Sequence, residues 1–258
     1  MKEIKLVYKP VSWLGISRRV TGLHPENWNE VTAAQLIAVA SSYQLKISPH
    51  KFLSVMTGIR PGILRKLDDF QHFNLLHLIE FVNDNKPFHE FILKSVELEG
   101  KTFYGSLPQL RKVTFGQFIF ADSYFNQFSE HSLPEDLNKF LASLYTPISG
   151  RFKQSYIDKY YPCFEKLGAD SKEAILINYM LVKQWLSVKY PLLFVSEMED
   201  KETASQKKKT NHDPMGWVKV LETLVGDDIS NHKKYTCLPL HNVLRFLTRK
   251  IKESAKHK

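Results

Sequence analysis

Apolar residues recur at helical spacing along most of this chain, and two short alternating runs interrupt them. The opening "EIKLVYK" alternates with period two and predicts a short strand, paired with the segment around "GISRRVTG". From Val31 the spacing turns helical. In "VTAAQL", Val31 to Leu36, the Thr32 hydroxyl can accept the Gln35 N–H while the Gln35 side chain reaches back to the Thr32 N–H, which is a capping box. Val31 and Leu36 flank the box at the spacing of a hydrophobic staple. "VTFGQF", Val113 to Phe118, repeats each part with Thr114, Gln117, Val113 and Phe118. Helix initiation thus accounts for the repeated hexapeptide without a ligand. No third copy is visible, and a repeat architecture needs at least three.

Other signals extend the helical reading. Ser48 is placed as an N-cap with Pro49 at the first helical position and Gly58 at the stop. "PGILRKLDDF" reads as a short helix and "HFNLLHLIEFV" as a fuller one, with Phe73, Leu76, Ile79 and Phe81 forming its apolar stripe. "SVELEGKTFYG" alternates around Glu99-Gly100 and predicts a β-hairpin. Ser132 and Glu135 open a helix that ends before Pro147, and Asp170 and Glu173 stand as a box for the longest one, which ends before Pro191. Ser196 to Asp213 has almost no apolar content and reads as a linker. Two amphipathic helices close the chain, one with Trp217, Leu221 and Leu224, the other with Leu240, Leu244, Leu247 and Ile251. The expected fold is mainly α: an irregular multi-helix bundle with a short N-terminal strand and a small β-hairpin near residues 95–105. Its expected organisation is a helical body over 1–195, a flexible charged linker over 196–213 and a C-terminal helical pair over 214–258.

Composition narrows the class. A chain of 258 residues, 43% hydrophobic, can bury a real core, roughly 70–75% of its unfolded surface. Two cysteines, Cys163 and Cys237, provide neither a disulfide framework nor the short paired spacing of a zinc site, so a reducing, cytoplasmic setting is expected. The start lacks the apolar core of a signal peptide. The most apolar window, "AILINYMLVKQWLSV", is broken by Lys183 and is shorter than the ~20 residues that span a bilayer, so it reads as a core helix and no membrane association is expected.

A formal net charge of +9 admits a polyanionic partner. The charge concentrates at Lys207, Lys208 and Lys209, and again from Arg245 onward, with Arg249 and Lys250 among the cations. A nucleic-acid-binding role would use these residues; a solvated linker and a frayed terminus account for them more simply, because charge blocks are commonly disordered.

No catalytic constellation emerges. "EGKTF", Glu99 to Phe103, resembles the end of a phosphate-binding loop, but Ser95 stands where its first glycine is needed and a strand follows where a helix is required. His72 and His77 lie five apart, on different sides of a helix, whereas zinc-binding helices use a spacing of four. Neither a G-x-S-x-G nor a G-x-G-x-x-G run occurs. The acid pairs Asp68-Asp69 and Asp227-Asp228 fall in polar boundaries that capping explains. No cofactor, metal or enzymatic activity is expected.

The aromatic residues are harder to place. Phe115, Phe118, Phe120, Tyr124, Phe125 and Phe128 crowd one helix, more than a single core-facing stripe can bury. Either that helix is packed on two sides, or part of it meets another protein, because aromatics are enriched in interface cores.

Taken in order, "KTFYG", "VTFGQFIFADSYF", "LNKFLASLYTP", a long helix ending in "WLSVKYPLLF", a charged break and a Trp-containing helical pair resemble helical proteins of phage and prophage tail-morphogenesis gene blocks, tail assembly chaperones in particular. The resemblance spans roughly Lys101 to the C-terminus and rests on soft aromatic and aliphatic patterns. It implies a non-enzymatic factor that holds tape-measure or tail-tube subunits soluble until assembly. It also implies work in the cytoplasm of a bacterial host, with carriage in the virion left open. Partner contact would then fall on Phe115, Phe118, Phe120, Tyr124, Phe125 and Trp217. The positive charge and the strand-like start are not features of that group, and the pattern fixes no oligomeric state.

Overall fold

A computed structural model describes residues 1–10, 15–84, 86–194 and 216–256. The fold is mainly α, with two small antiparallel two-stranded sheets. In chain order the elements are β1 (Lys2–Tyr8), β2 (Arg18–His24), α1 (Ala33–Tyr43), α2 (Pro49–Thr57), α3 (Pro61–Leu64), α4 (Asp69–Leu78), β3 (Ser95–Leu98) and β4 (Lys101–Tyr104). They continue with α5 (Phe115–His131), α6 (Pro134–Leu144), α7 (Ser155–Tyr160), α8 (Ala169–Lys189), α9 (Gly216–Val225), α10 (Asn231–Thr236) and α11 (Leu240–Lys256). The linker expected over 196–213 lies outside the described residues.

The chain forms two compact units, Met1–Phe88 with Gly168–Leu181, and His89–Leu167 with Val182–Lys258. A body over 1–195 with a separate C-terminal pair is therefore not the division found. The C-terminal helices belong to the second unit, and α8 contributes to both.

In the first unit, β1 pairs with β2 in the register Leu6↔Val20 and Ile4↔Gly22. The pairing expected from the alternating start is present, and the opening strand is one arm of a hairpin. Gly22 is required by a close approach: a Cβ there would lie 2.5 Å from the Thr57 carbonyl oxygen. The first capping box is complete. Thr32 Oγ1 accepts the Gln35 N–H, Gln35 Oε1 accepts the Thr32 N–H, and Gln35 Nε2 donates onward to the Met56 carbonyl. Val31 and Leu36, the staple residues, are buried. Two expectations fail here. In α4 the buried residue is Leu75, followed by Ile79 just past the helix end, whereas Phe73 and Leu76 face water. Asp170 is no cap, since α8 begins one residue earlier; it sits in the first turn, where a carboxylate favours the helix dipole, and meets Lys46 at 3.7 Å, while Glu173 accepts from Gln44.

In the second unit, β3 and β4 form the expected hairpin, turned by Glu99 and Gly100 with φ of 52° and 72°, as a two-residue primed turn demands. Phe103 of β4 meets Phe164 at 5.3 Å, and Tyr145 donates its hydroxyl to the Leu93 carbonyl at 2.7 Å from complete burial. At the second hexapeptide the box is half made. Thr114 Oγ1 accepts the Gln117 N–H, but the Gln117 side chain turns inward and donates to the Ser143 carbonyl. One N–H of the helix start finds another partner, because the C-terminal segment pairs with this stretch: Phe115 N–H donates to Leu238 O, and Leu240 N–H donates in return to Val113 O. Ser132 does not open α6. It ends α5 in a left-handed conformation, and Pro134 begins α6 behind an uncapped Leu133.

Candidate functional site

The structure gives Phe115, Phe118, Phe120, Tyr124 and Phe125 of α5 internal partners. Phe115 and Phe118 are buried, and both stand edge-on to Trp217 of α9, with ring centroids 6.1 and 5.3 Å away. Phe194 closes the same cluster on Trp217 at 5.2 Å. Phe120 meets Phe152, and Phe125 meets Phe140. Tyr124 is half-buried under the Lys139 ammonium, and desolvation raises its hydroxyl pKa above the usual tyrosine value. The structure thus brings Phe115, Phe118 and Trp217 together, the two phenylalanines buried and Trp217 half-buried, and separates them from Phe120, Tyr124 and Phe125. The crowding noticed in the sequence reflects a helix packed against α6 on one side and against α9–α11 on the other.

Among the basic residues, Lys207, Lys208 and Lys209 lie outside the described residues. Arg245, Arg249 and Lys250 are exposed on α11, whose apolar stripe is buried only at Leu240, Val243 and Leu244. Arg249 and Lys250 each approach Glu253 at 3.6 Å and flank the exposed Phe246 ring. Arg245 donates to the His241 carbonyl and to Asn242 Oδ1.

At the base of α11, the His241 ring accepts the Tyr190 hydroxyl at Nδ1 (2.8 Å) and donates from Nε2 to the Gln109 carbonyl. Gln109, Leu110 and Lys112 all have positive φ without being glycine, so His241 ties down a strained loop. Burial lowers the His241 pKa below the usual histidine value, and Lys189 and Arg245 add repulsion.

Two surfaces were not singled out by sequence reasoning. The first is on α4. Phe70 is 72% exposed, Phe73 68% and Leu76 45%, all on one side of the helix, opposite the buried Leu75 and Ile79. Apolar residues surround this helix, so periodicity alone could not say which of its faces was turned inward. The second lies around α7. Tyr156 and Tyr160 are half-buried with ring centroids 5.7 Å apart, and Lys153, Lys159 and Lys101 stand over them. Its sequence signal in "FKQSYIDKYY" is the spacing of three from Lys153 to Tyr156 and from Tyr156 to Lys159, with the two tyrosines four apart.

Among the described residues, no group of three or more His, Cys, Asp or Glu is placed to hold a metal ion, and no helix is long and apolar enough to cross a membrane. Cys163 donates to Glu99, and its thiol pKa is raised by burial first and by that carboxylate second, the opposite of what an activated nucleophile needs. Comparison with protein-family models, with curated proteins and with solved structures found no match.

Proposed function

We propose that this protein acts by binding another protein, as a non-enzymatic assembly factor, and that α4 is the contact. The observation that carries the reading is the pair Phe70 and Phe73, both more than two-thirds exposed beside Leu76. Large apolar side chains grouped on one exposed helix face mark an interaction surface. The resemblance to tail assembly chaperones supplies the class of partner, a phage tape-measure or tail-tube subunit; the site moves from α5, where Phe115, Phe118, Phe120, Tyr124 and Phe125 have internal partners, to α4. Covering the two rings should contribute about 3 kcal/mol, more than a hundredfold in affinity. Phe70→Ser with Phe73→Ser should therefore abolish capture of a co-expressed tape-measure or tube subunit while leaving the melting temperature within a few degrees of wild type. Undiminished capture by that double variant would overturn the assignment.

A second reading, polyanion binding, draws support from the exposed Arg245, Arg249 and Lys250 of α11 beside Phe246. Its test is the salt dependence of nucleic-acid binding in the triple Ala variant, which should be reduced. Contacts with Glu253 already neutralise part of this face.

A further inference from the structure

The charge of the second unit has a focus that neither basic run accounts for. After α6 the chain runs through Arg151 and Lys153 into α7, a short helix followed by a 3-10 turn over Tyr161–Lys166. Ile157 and Phe164 are buried, which anchors this segment. Tyr156 and Tyr160 flank the buried Ile157 and are half-buried, each at the edge of the core. Phe103 packs edge-on against Tyr160 at 5.3 Å, so the ring has a rigid backing. Lys153 stands 5.8 Å from the Tyr156 centroid; Lys159 and Lys101 stand 5.3 and 5.7 Å from that of Tyr160.

The three ammonium groups are exposed, and none of them forms an ion pair among the described residues. The neighbouring Lys139 differs: it is held by Glu135 at 2.6 Å and is not counted in the cluster. Two carboxylates adjoin the cluster: Asp158 precedes Lys159 in α7, and Glu99, which Lys166 pairs, also attracts Lys101. An exposed ammonium over a half-buried ring is held weakly, so it can leave the ring for a phosphate a few ångströms away and uncover the part of the aromatic face that meets solvent. Cations that neutralise phosphates, next to aromatic faces that accept bases, form the recognition surface used for unpaired nucleic acid; duplexes keep their base faces stacked and offer only the charge.

We propose that Tyr156 and Tyr160, with Lys101, Lys153 and Lys159, form a binding site for single-stranded nucleic acid. Phosphates pair with the lysines, and bases stack on the two rings. The site is independent of the α4 assignment and lies apart in sequence from the basic run and tail that charge alone would select.

The test is fluorescence anisotropy on the full chain with short labelled oligothymidylate and oligouridylate strands, with a duplex of equal length as competitor. An acidic peptide and anionic phospholipid vesicles serve as further competitors. The expected result is single-strand binding with a log–log salt slope near −2, about −0.7 for each of three neutralised phosphates. Lys153→Gln with Lys159→Gln, both exposed and therefore neutral for folding, should reduce that slope by about 1.4. Tyr156→Leu with Tyr160→Leu should weaken binding about tenfold or more while leaving most of the slope intact. The thymidylate and uridylate arms distinguish DNA from RNA, and either one binding supports the site. The proposal is overturned by absence of binding at low salt, or by duplex, peptide or vesicles competing as well as the single strand. Binding that ignores both double variants but is lost on replacing Arg245, Arg249 and Lys250 also overturns it and moves the site to α11. Phe70→Ser with Phe73→Ser should leave this binding unchanged, so failure here and failure of the α4 reading are separable.

Discussion

Lys183→Met removes the one cation inside the most apolar stretch of α8. Lys183 Nζ lies 2.7 Å from Asp122 Oδ1, and the side chains are 21% and 4% exposed. The carboxylate is thus almost wholly desolvated, and Lys183 also stands 5.0 Å from the Phe125 ring centroid. At 2.7 Å the Coulomb attraction is about 6 kcal/mol at an effective dielectric of ~20, most of it offset by desolvation of the two charges. Removing one partner exposes that imbalance, which typically costs about 3–5 kcal/mol. The Asn126 amide still donates to Asp122 Oδ2 at 3.2 Å, and Lys183 keeps a fifth of its surface in water. The expected loss is therefore at the lower end, about 2–4 kcal/mol, at neutral pH. Urea unfolding followed by circular dichroism measures it, with a cycle that adds Asp122→Leu. The double variant should return to within about 1 kcal/mol of wild type, because no buried charge is left unpaired. A Lys183→Met loss below about 1 kcal/mol, or additive effects of the two changes, would refute the buried-pair account.

Other outcomes follow from close approaches and caps. Gly22→Ala puts a Cβ 2.5 Å from the Thr57 carbonyl oxygen and 2.7 Å from Ile59 Cγ1, and should lower stability by about 1–3 kcal/mol in a thermal melt. Gly116→Ala would gain ~1 kcal/mol of helix propensity on an open helix. Here its Cβ would stand 2.9 Å from Thr236 Cβ, so the net effect should be destabilising. Thr114→Ala loses the acceptor for the Gln117 N–H and should cost about 1 kcal/mol. The His241 pKa is lowered in the folded state, so the unfolded chain takes up its proton first. The stability this residue contributes is complete above the ordinary histidine value of 6.5 and is lost as pH falls through its lower folded value. The melting temperature should fall on acidification through that range, and His241→Gln should flatten the dependence.

Elements with strong local signals were legible in the sequence. The first capping box, the Pro49 start, the Glu99-Gly100 turn and the strand pairing of the alternating start all appear where local chemistry put them. What was not legible depended on residues distant in the chain. Gln117 sits in the same local motif as Gln35, yet it leaves the box because the Ser143 carbonyl is within reach and the 238–240 segment bonds the α5 start. The inward side of α4 could not be chosen, because apolar residues surround that helix and only the packed fold decides that Leu75 and Ile79 go in while Phe70 and Phe73 stay out. Trp217 was legible as an apolar anchor but not as a partner of Phe115 and Phe118, which are about a hundred residues earlier. Lys101 and Tyr160 likewise meet only through the packing of β4 beside α7.

The most direct test of the central claim is co-purification of the full chain with a co-expressed tape-measure or tail-tube subunit, washed at low and high salt and repeated with Phe70→Ser and Phe73→Ser. Burial of the α4 rings predicts a complex that survives high salt with the wild-type chain and disappears with the double variant, because apolar contact is little screened. Retention by the double variant, or no recovery of either subunit by the wild-type chain, would contradict it.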